Sequence, residues 1–303
     1  MSEQLIQIDR NPVKKRKPSW LKVRMPSGEN YQDVLKLTKN HGLATVCQEA
    51  HCPNIGECWN ERTATFMMFG DTCTRSCGFC AIKTGRPKPV DYSEPDKILE
   101  SIRYLKLNHA VVTSVNLDHI KNGGADVWAD LILKVREAED ISCTIEVLTP
   151  DFKGRQDAID LVLDAKPHIF SHNVETTEAM HKLMRPQAKY KRSLDVLESS
   201  AKKGLVTKTG MMLGAGENMD DVYKTIQDIR DVGTDILYLG QYLSPSKNHV
   251  PLDRYLTPEE FDALKDHAYK LGFIYVESSP LVRSSYHAER SLEAIRKHKT
   301  IDF

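Results

Sequence analysis

The chain has 303 residues, of which 42 are basic and 42 are acidic, so that its formal net charge is zero. This balance provides no general attraction to nucleic acid or to an anionic membrane, and we expect neither as a partner. The sequence has no apolar run of about 18 residues and no charged-then-apolar signal peptide at its start, which predicts a cytoplasmic protein.

The N-terminal part of the chain predicts little regular structure. Residues 1–30 are polar, basic and rich in proline, which is typical of an extended arm on a protein surface. The basic run at 14–17 is either a solvated face or a docking site for an acidic protein partner. Residues 31–45 predict a short helix that ends at Gly42.

From Thr65 onward, short apolar runs alternate with amphipathic segments. The runs predict strands at 65–69, 110–115, 144–148, 169–172, 206–212 and 236–239. The segments between them predict helices at 95–105, 127–138, 156–165, 193–203 and 219–232, and a helix at 258–271 precedes a late strand at 273–277. Six βα units in a row predict a parallel sheet curled into a full or partial barrel.

We therefore predict an α/β fold, a partial (β/α)6 parallel barrel over residues 63–271. An N-terminal extension, 1–62, and a C-terminal extension, 272–303, flank this barrel.

Six of the seven cysteines lie between residues 47 and 80. A disulfide framework is expected in a short secreted chain, whereas clustered cysteines in a reducing cytosol predict metal ligands. Cys143 lies outside the clusters and is interpreted as a buried structural thiol. The histidines show no metal-ligand spacing, and no residue is assigned a catalytic acid or base role.

The second triplet consists of Cys73, Cys77 and Cys80 and lies in the loop after the first barrel strand. Barrel enzymes have their active sites in such loops. Three thiolates can hold three irons of a 4Fe–4S cubane, and the fourth iron is then open to a small molecule. A zinc site is the alternative, but zinc prefers four closed ligands in paired C-x2-C hooks.

The first triplet, Cys47, Cys52 and Cys58, would hold another cluster and ends fifteen residues before Cys73. A second set of thiolates so close by needs its own function: it either relays electrons or supplies sulfur. His51 is interpreted as a loop residue near this first triplet.

The sequence resembles the lipoyl synthases, a family of the radical S-adenosylmethionine superfamily. The resemblance rests on both triplets, with their spacings and order, and on a C-terminal Arg283-Ser284-Ser285-Tyr286 motif. It extends from about Pro18 to Ala288. Further matching stretches lie at 149–155, 172–173, 184–186 and 239–243.

The resemblance implies a sulfurtransferase that inserts two sulfur atoms, at carbons 6 and 8, into an octanoyl chain linked to a carrier-protein lysine. It implies two 4Fe–4S clusters and S-adenosylmethionine, from which the second triplet's cluster generates a 5′-deoxyadenosyl radical. The first triplet's cluster, the auxiliary cluster, is the implied sulfur donor. The implied partners are an octanoylated 2-oxoacid dehydrogenase E2 domain or glycine cleavage H protein, and an electron donor such as ferredoxin or flavodoxin.

In this family a serine of the C-terminal motif binds the fourth iron of the auxiliary cluster. The two serines are adjacent, so an extended backbone would direct them to opposite sides and only one can be the ligand. We predict Ser285, with Ser284 as the alternative.

Residues at the carboxyl ends of later strands are candidates for S-adenosylmethionine binding. The pair Gly123–Gly124 follows the second strand and is either a cofactor loop or an ordinary turn. Arg185 would bind the methionyl carboxylate, or would form a plain salt bridge with a barrel glutamate. The remaining candidates are Asn173, Glu175 and Met212.

Two other functions remain open at this point. An enzyme resembling biotin synthase would share the second triplet but lack the first triplet and the serine motif. A non-enzymatic iron–sulfur carrier would have little use for a six-unit barrel or an open iron site.

Overall fold

The computed structural model describes residues 16–22, 28–40, 44–49, 52, 54–60 and 65–298. Its strands are β1 (Ala44–Thr45), β2 (Thr65–Met68), β3 (Thr72–Cys73), β4 (Lys83–Thr84), β5 (His109–Ser114), β6 (Thr144–Leu148), β7 (Ile169–Ser171), β8 (Thr207–Leu213), β9 (Ile236–Gln241) and β10 (Tyr275–Ser278). Its helices are α1 (Glu29–Asn40), α2 (Val46–Glu49), α3 (Ile55–Asn60), α4 (Glu94–Leu105), α5 (Ala125–Glu137), α6 (Gln156–Asp164), α7 (Glu178–Met184), α8 (Tyr190–Lys202), α9 (Met219–Asp231), α10 (Pro258–Lys270) and α11 (Ala288–Arg296).

Eight of these strands form one sheet whose spatial order follows the chain: β1, β2, β5, β6, β7, β8, β9 and β10. All neighbours from β2 to β10 are parallel, while β1 pairs antiparallel with β2, with Thr45 opposite Phe66. In the described part of the chain the sheet does not close on itself, because β10 pairs with β9 and not with β1. The predicted α/β fold with a partial parallel barrel is confirmed, and the late strand provides its seventh parallel member.

Alternate residues of the strands face two different environments. On one face, Val112 of β5 and Val147 of β6 belong to a core that includes Trp128 of α5. On the other face, Lys208 of β8 and Glu146 of β6 form a fully buried ion pair of 2.8 Å. Both faces of the sheet are therefore covered, as a parallel sheet requires.

The C-terminal tail contains a helix that the sequence did not lead us to expect. In α11, Ala288, Leu292 and Ile295 recur at helical spacing and are buried. Leu292 and Ile295 pack with Ile236 and Tyr238 of β9 on the same face as the Glu146–Lys208 pair. The tail is rich in charged residues, so its short apolar stripe did not predict a helix. The function of the stripe, which is to cover the sheet, is evident only in the folded protein.

Smaller differences concern the N-terminal region. The helix predicted over 31–45 begins and ends earlier, as α1, and Gly42 lies outside the described residues, as does His51. The short elements β1, α2 and α3 were not predicted, because stretches of two to six residues carry too little periodicity. Of the basic run at 14–17, Arg16 and Lys17 are exposed, and the other two positions lie outside the described residues.

Within the described residues, no helix combines the length and the apolar character that a membrane span requires. The strand β10 belongs to the predicted C-terminal extension yet joins the barrel sheet through β9. The division of the chain at 62/63 and 271/272 stays a prediction.

Candidate active site

The loop that contains the second triplet is hydrogen-bonded to the end of α7 and to the loop after β9. The Gly78 amide donates to the carbonyl of Met184 at 2.8 Å, and the Val250 amide donates to the carbonyl of Gly78 at 2.8 Å. A Cβ atom at Gly78 would lie only 2.7 Å from the Val250 side chain, so glycine is needed for this approach. The ring of His249 hydrogen-bonds the Cys80 carbonyl at 2.9 Å.

The three thiols of this triplet are neighbours in a largely buried site. Burial raises the pKa of Cys77 to about 12, and the charge of Arg185 opposes that rise while Cys80 and Cys73 add to it. Burial likewise raises the pKa of Cys80 to about 11. Cys73 Sγ accepts a hydrogen bond from the Asn116 amide at 3.3 Å. Thiols with such high pKa values are protonated at neutral pH, and iron binding would have to release their protons.

Multi-iron clusters and single metal ions place different demands on their cysteine ligands. Among the described residues, no three His, Cys, Asp or Glu side chains are grouped so that they could hold one metal ion. A 4Fe–4S cubane places each cysteine on a different iron, so its ligands need not converge on one point. A zinc site, the alternative, needs four ligands that converge on one ion.

A buried ionic network that the sequence did not reveal lies beside the second triplet. Arg75, 4% exposed, donates to both carboxylate oxygens of Asp118 at 2.7 and 2.8 Å and to Asp151 at 2.6 Å. Arg192 contacts the second oxygen of Asp151 at 3.1 Å. Burial favours the neutral acid, but the Arg75 guanidinium holds the pKa of Asp151 well below its ordinary range. The network ties the cysteine loop to the loops that follow β5 and β6.

Four of the predicted S-adenosylmethionine contacts come together after β7. Asn173 Nδ2 donates to Glu175 Oε1 at 3.1 Å, and the Met212 amide donates to the Glu175 carbonyl at 2.9 Å. Arg185 is 8% exposed, and its Nη1 donates to the backbone carbonyl of Asn173 at 2.8 Å and that of Val174 at 3.2 Å. Burial raises the pKa of Glu175, with the charge of Arg185 and a hydrogen bond from Asn173 opposing the rise.

The first triplet lies in and between α2 and α3. The Cys52 amide donates to the Cys47 carbonyl at 3.0 Å, and the Cys58 amide donates to the Asn54 carbonyl at 3.0 Å. Burial raises the pKa of the Cys52 thiol; the neighbouring Cys47 adds to that rise, and the guanidinium of Arg283 opposes it. The first triplet is therefore close to the C-terminal motif, although Cys52 and Arg283 are far apart in the chain.

The two serines of the C-terminal motif have different partners. Thr65 Oγ1, at the start of β2, donates to Ser285 Oγ at 2.7 Å. Asn173 Nδ2 donates to Ser284 Oγ at 2.7 Å. Ser285 is thus held by a strand that adjoins the first triplet, and Ser284 by a residue of the predicted S-adenosylmethionine site.

The C-terminal motif is also attached to α3, the helix that contains Cys58. Asn54 Nδ2, just before this helix, donates to the Leu281 carbonyl at 2.7 Å. The Tyr286 hydroxyl donates to the Glu57 carboxylate, with both oxygens at 3.2 Å. These contacts place the C-terminal segment next to the first triplet.

Comparisons with known proteins agree with this arrangement. Residues 67–229 match the radical SAM superfamily, and residues 3–52 match the N-terminal domain of lipoyl synthase of the radical SAM family. The curated lipoyl synthase of Rubrobacter xylanophilus is 50% identical over 283 residues, covering 93% of this chain and 88% of that protein. The chain belongs to the lipoyl synthase family.

Other lipoyl synthases are similar over comparable lengths. That of Koribacter versatilis is 48% identical over 300 residues, 98% of each chain. The mitochondrial lipoyl synthase of Nematostella vectensis is 45% identical over 282 residues, covering 93% of this chain and 97% of that protein. The similarity therefore spans both triplets and the serine motif.

Two solved structures share the radical SAM fold with this lipoyl synthase family member. Streptococcus suis SuiB bound to S-adenosylmethionine has a TM-score of 0.56 at 10% identity, covering 84% of this chain and 58% of that one. Methylornithine synthase has a TM-score of 0.53 at 11% identity, covering 73% of this chain and 72% of that one. At such identities the likeness concerns the fold alone.

The Gly123–Gly124 pair has a packing explanation that is independent of lipoyl synthase chemistry. Both glycines have left-handed backbones, with φ of +62° and +83°. A Cβ at Gly124 would lie 2.6 Å from the Phe69 ring, and one at Gly123 would lie 3.1 Å from the Phe152 ring. Backbone conformation and close packing thus require glycine here, and the contact of this pair with S-adenosylmethionine stays a prediction.

Proposed function

We propose that this chain uses radical chemistry to insert two sulfur atoms, at carbons 6 and 8, into an octanoyl chain linked to a carrier-protein lysine. The observation that carries the proposal is the approach of the serine motif to both cysteine regions. Ser285 accepts a hydrogen bond from Thr65 beside the first triplet. Ser284 accepts one from Asn173 in the predicted S-adenosylmethionine site. Membership of the lipoyl synthase family supports the same reaction.

The substrate explains why the fold needs such a site. Unactivated C–H bonds offer no acidic proton and no leaving group, so side-chain acids and bases cannot cleave them. When bound, a reduced 4Fe–4S cluster and S-adenosylmethionine together supply a carbon radical that can remove these hydrogens. The side chains accordingly bind, orient and enclose the reactants, and we assign none of them a general acid or base role.

Around the second triplet, Cys73, Cys77 and Cys80 are the proposed ligands of the radical-generating cluster. Arg185 is suited to the methionyl carboxylate, because a guanidinium pairs with a carboxylate through two parallel hydrogen bonds. The hydrogen bonds of its Nη1 go to neutral oxygens, those of Asn173, Val174 and Ser193. The alternative use of Arg185, a salt bridge to a barrel glutamate, is not among these bonds.

Around the first triplet, the proposed ligands of the auxiliary cluster are Cys47, Cys52, Cys58 and Ser285. A serine oxygen is a harder and more easily displaced iron ligand than a thiolate, which suits a cluster that gives up its sulfur. The charge of the partly buried Arg283 near Cys52 would offset part of the negative charge of three thiolates.

The specific partners belong to this proposal too. The carrier would be an octanoylated 2-oxoacid dehydrogenase E2 domain or glycine cleavage H protein. The electron donor would be a small one-electron carrier such as ferredoxin or flavodoxin, and the setting would be the cytoplasm.

Three cysteine variants test the proposal, with an octanoyl-lysine peptide as the substrate. Cys77→Ala should abolish 5′-deoxyadenosine formation and keep about one cluster per chain, because only the radical site loses a ligand. Cys52→Ala should still cleave S-adenosylmethionine but make no thiolated product. Cys143→Ala is the matched control: Cys143 is buried outside both triplets, and its loss should preserve both clusters.

Each outcome has a definite meaning. Wild-type 5′-deoxyadenosine formation by Cys77→Ala would refute the radical site, and a wild-type product yield from Cys52→Ala would refute the sulfur source. A wild-type chain that forms no 5′-deoxyadenosine at all would favour an iron–sulfur carrier instead.

A further inference from the structure

Thr65 occupies a position between the first triplet and the C-terminal motif. It is the first residue of β2 and is 5% exposed. Its hydroxyl donates to Ser285 Oγ at 2.7 Å, across 220 residues of chain. Because the Thr65 side chain is buried, water does not compete for the hydrogen bond to Ser285, and this bond restricts where Ser285 can lie.

The strand pairing explains why Thr65 also adjoins the first triplet. β1 runs antiparallel to β2, with Thr45 opposite Phe66, so the chain that continues from β1 into α2 passes alongside Thr65. Cys47 in α2 lies within hydrogen-bonding reach of the Thr65 backbone and side chain. Thr65 is therefore next to one cysteine of the triplet and bonded to one serine of the motif.

We propose that Thr65 is a positioning residue that holds the Ser285 oxygen at the first triplet through its hydroxyl hydrogen bond. The inference rests on the proposed function, in which Ser285 is an iron ligand. A serine oxygen that binds iron gains negative charge, and a hydrogen bond donated to an anionic oxygen is stronger than one between neutral groups. Thr65 would thus favour the liganding form of Ser285 as well as its location.

The neighbouring serine provides the contrast that makes this role specific. Ser284 is bonded by Asn173, on the side of the second triplet. With one buried partner for each serine, a shift of the motif by one residue would leave either Thr65 or Asn173 without a serine partner. Thr65 and Asn173 together therefore define which serine faces the first triplet.

The test compares Thr65→Val, which keeps the shape but removes the hydroxyl, with Thr65→Ser, which keeps the hydroxyl. All variants are made in a full-length chain whose Cys73, Cys77 and Cys80 are alanine, so that the measured iron is held by the first triplet. After anaerobic reconstitution, the loss of the fourth iron to a chelator is followed by electron paramagnetic resonance of the three-iron product. Thr65→Val should lose that iron about tenfold faster or more, whereas Thr65→Ser should resemble the parent chain.

Thr207→Val is the matched control. Thr207 is also the first residue of a parallel strand, is fully buried, and has its hydroxyl 2.8 Å from a serine hydroxyl, that of Ser200. It should lose iron at the parent rate. If Thr65→Val fails to fold, Thr65→Ala provides the same comparison with Thr65→Ser.

Ser285→Ala separates the failure of this inference from the failure of the proposed function. If Ser285→Ala retains the fourth iron like the parent, the serine ligand itself is wrong and the role of Thr65 falls with it. If Ser285→Ala loses the iron quickly but Thr65→Val does not, only the role of Thr65 is overturned. An equal acceleration in Thr207→Val would also overturn it, because the effect would then reflect general destabilisation.

Discussion

At the scale of single residues, the ionisation of the cysteines depends on what surrounds them. Burial raises the pKa of Cys77 to about 12, and the nearby Arg185 charge opposes this effect. Burial also raises the pKa of Cys143 to about 12, but no cationic neighbour opposes the rise; only a backbone hydrogen bond does. The two thiols therefore have about the same pKa, and what differs is the surroundings: Cys77 has Arg185 and two other cysteines nearby, as a cluster ligand requires.

The serine motif provides the prediction at this scale. Ser285→Ala should lower the yield of thiolated product at least about tenfold, since even residues that only support metal ligands contribute about 10–100-fold. S-adenosylmethionine cleavage should persist, because the second triplet is unchanged. Ser285→Cys should assemble the cluster well but release sulfide poorly, because a thiolate binds iron more tightly. Product yield and 5′-deoxyadenosine are measured on the same samples.

Ser284→Ala is the matched comparison for the serine prediction. It removes the oxygen bonded to Asn173 but leaves the one bonded to Thr65. If Ser284→Ala shows the loss of product and Ser285→Ala does not, the ligand is Ser284.

At the scale of elements, the C-terminal segment is held between β9 and α3. The Ser279 amide donates to the Leu239 carbonyl at 3.2 Å, and the Gln241 amide donates to the Pro280 carbonyl at 3.3 Å. Gly240, between these two β9 residues, lies against Val282, whose carbonyl oxygen would be 2.2 Å from a Cβ atom at Gly240. The absence of a side chain at this one position lets the segment cross the sheet closely.

Gly240→Ala should therefore displace the serine motif. The added methyl group meets backbone rather than a flexible side chain, and such overpacking costs about 1–3 kcal/mol. Denaturant unfolding should show this loss, and iron analysis should show depletion of the auxiliary cluster with S-adenosylmethionine cleavage retained. Gly85→Ala is the control, because its Cβ would meet only the Thr72 methyl group at 3.3 Å. Wild-type stability in Gly240→Ala would contradict the argument.

At the scale of the whole molecule, buried histidines link stability to pH. Burial lowers the pKa of His172 to about 4, and the charge of Arg185 adds to this effect. Burial also lowers the pKa values of His168 and His181 to about 4. Between about pH 6.5 and pH 4 the unfolded chain binds protons that the folded chain does not. The free energy of unfolding must therefore decrease as the pH falls through this window.

His172→Gln tests this linkage. Each buried histidine contributes a slope of up to about 1.4 kcal/mol per pH unit, so the variant should show a smaller slope between pH 6.5 and pH 4. Its stability at pH 7 should also be lower, because the ring bonds the Thr149 carbonyl at 2.8 Å and Ser193 at 3.1 Å. Urea unfolding at several pH values measures both quantities. An unchanged slope in His172→Gln would refute the prediction.

Features that depend on local spacing could be predicted from the amino-acid sequence alone. Apolar runs alternating with amphipathic segments predicted the parallel α/β sheet, because strand and helix periodicities are local properties. Cysteine spacing predicted the two triplets, because thiolates on one short loop can share one cluster.

The contacts between side chains that are distant in the chain depend on the folded structure. Thr65 and Ser285 are 220 residues apart in the chain, and Asn173 and Ser284 are 111 apart. Arg75 and Asp151, 76 residues apart, have no local signal that would pair them. Such contacts follow from the order of strands in the sheet, from the two-residue pairing of β1 with β2, and from the close crossing at Gly240. Side-chain partners across a sheet are set by its register and not by periodicity along the chain, so they became visible only in the folded protein.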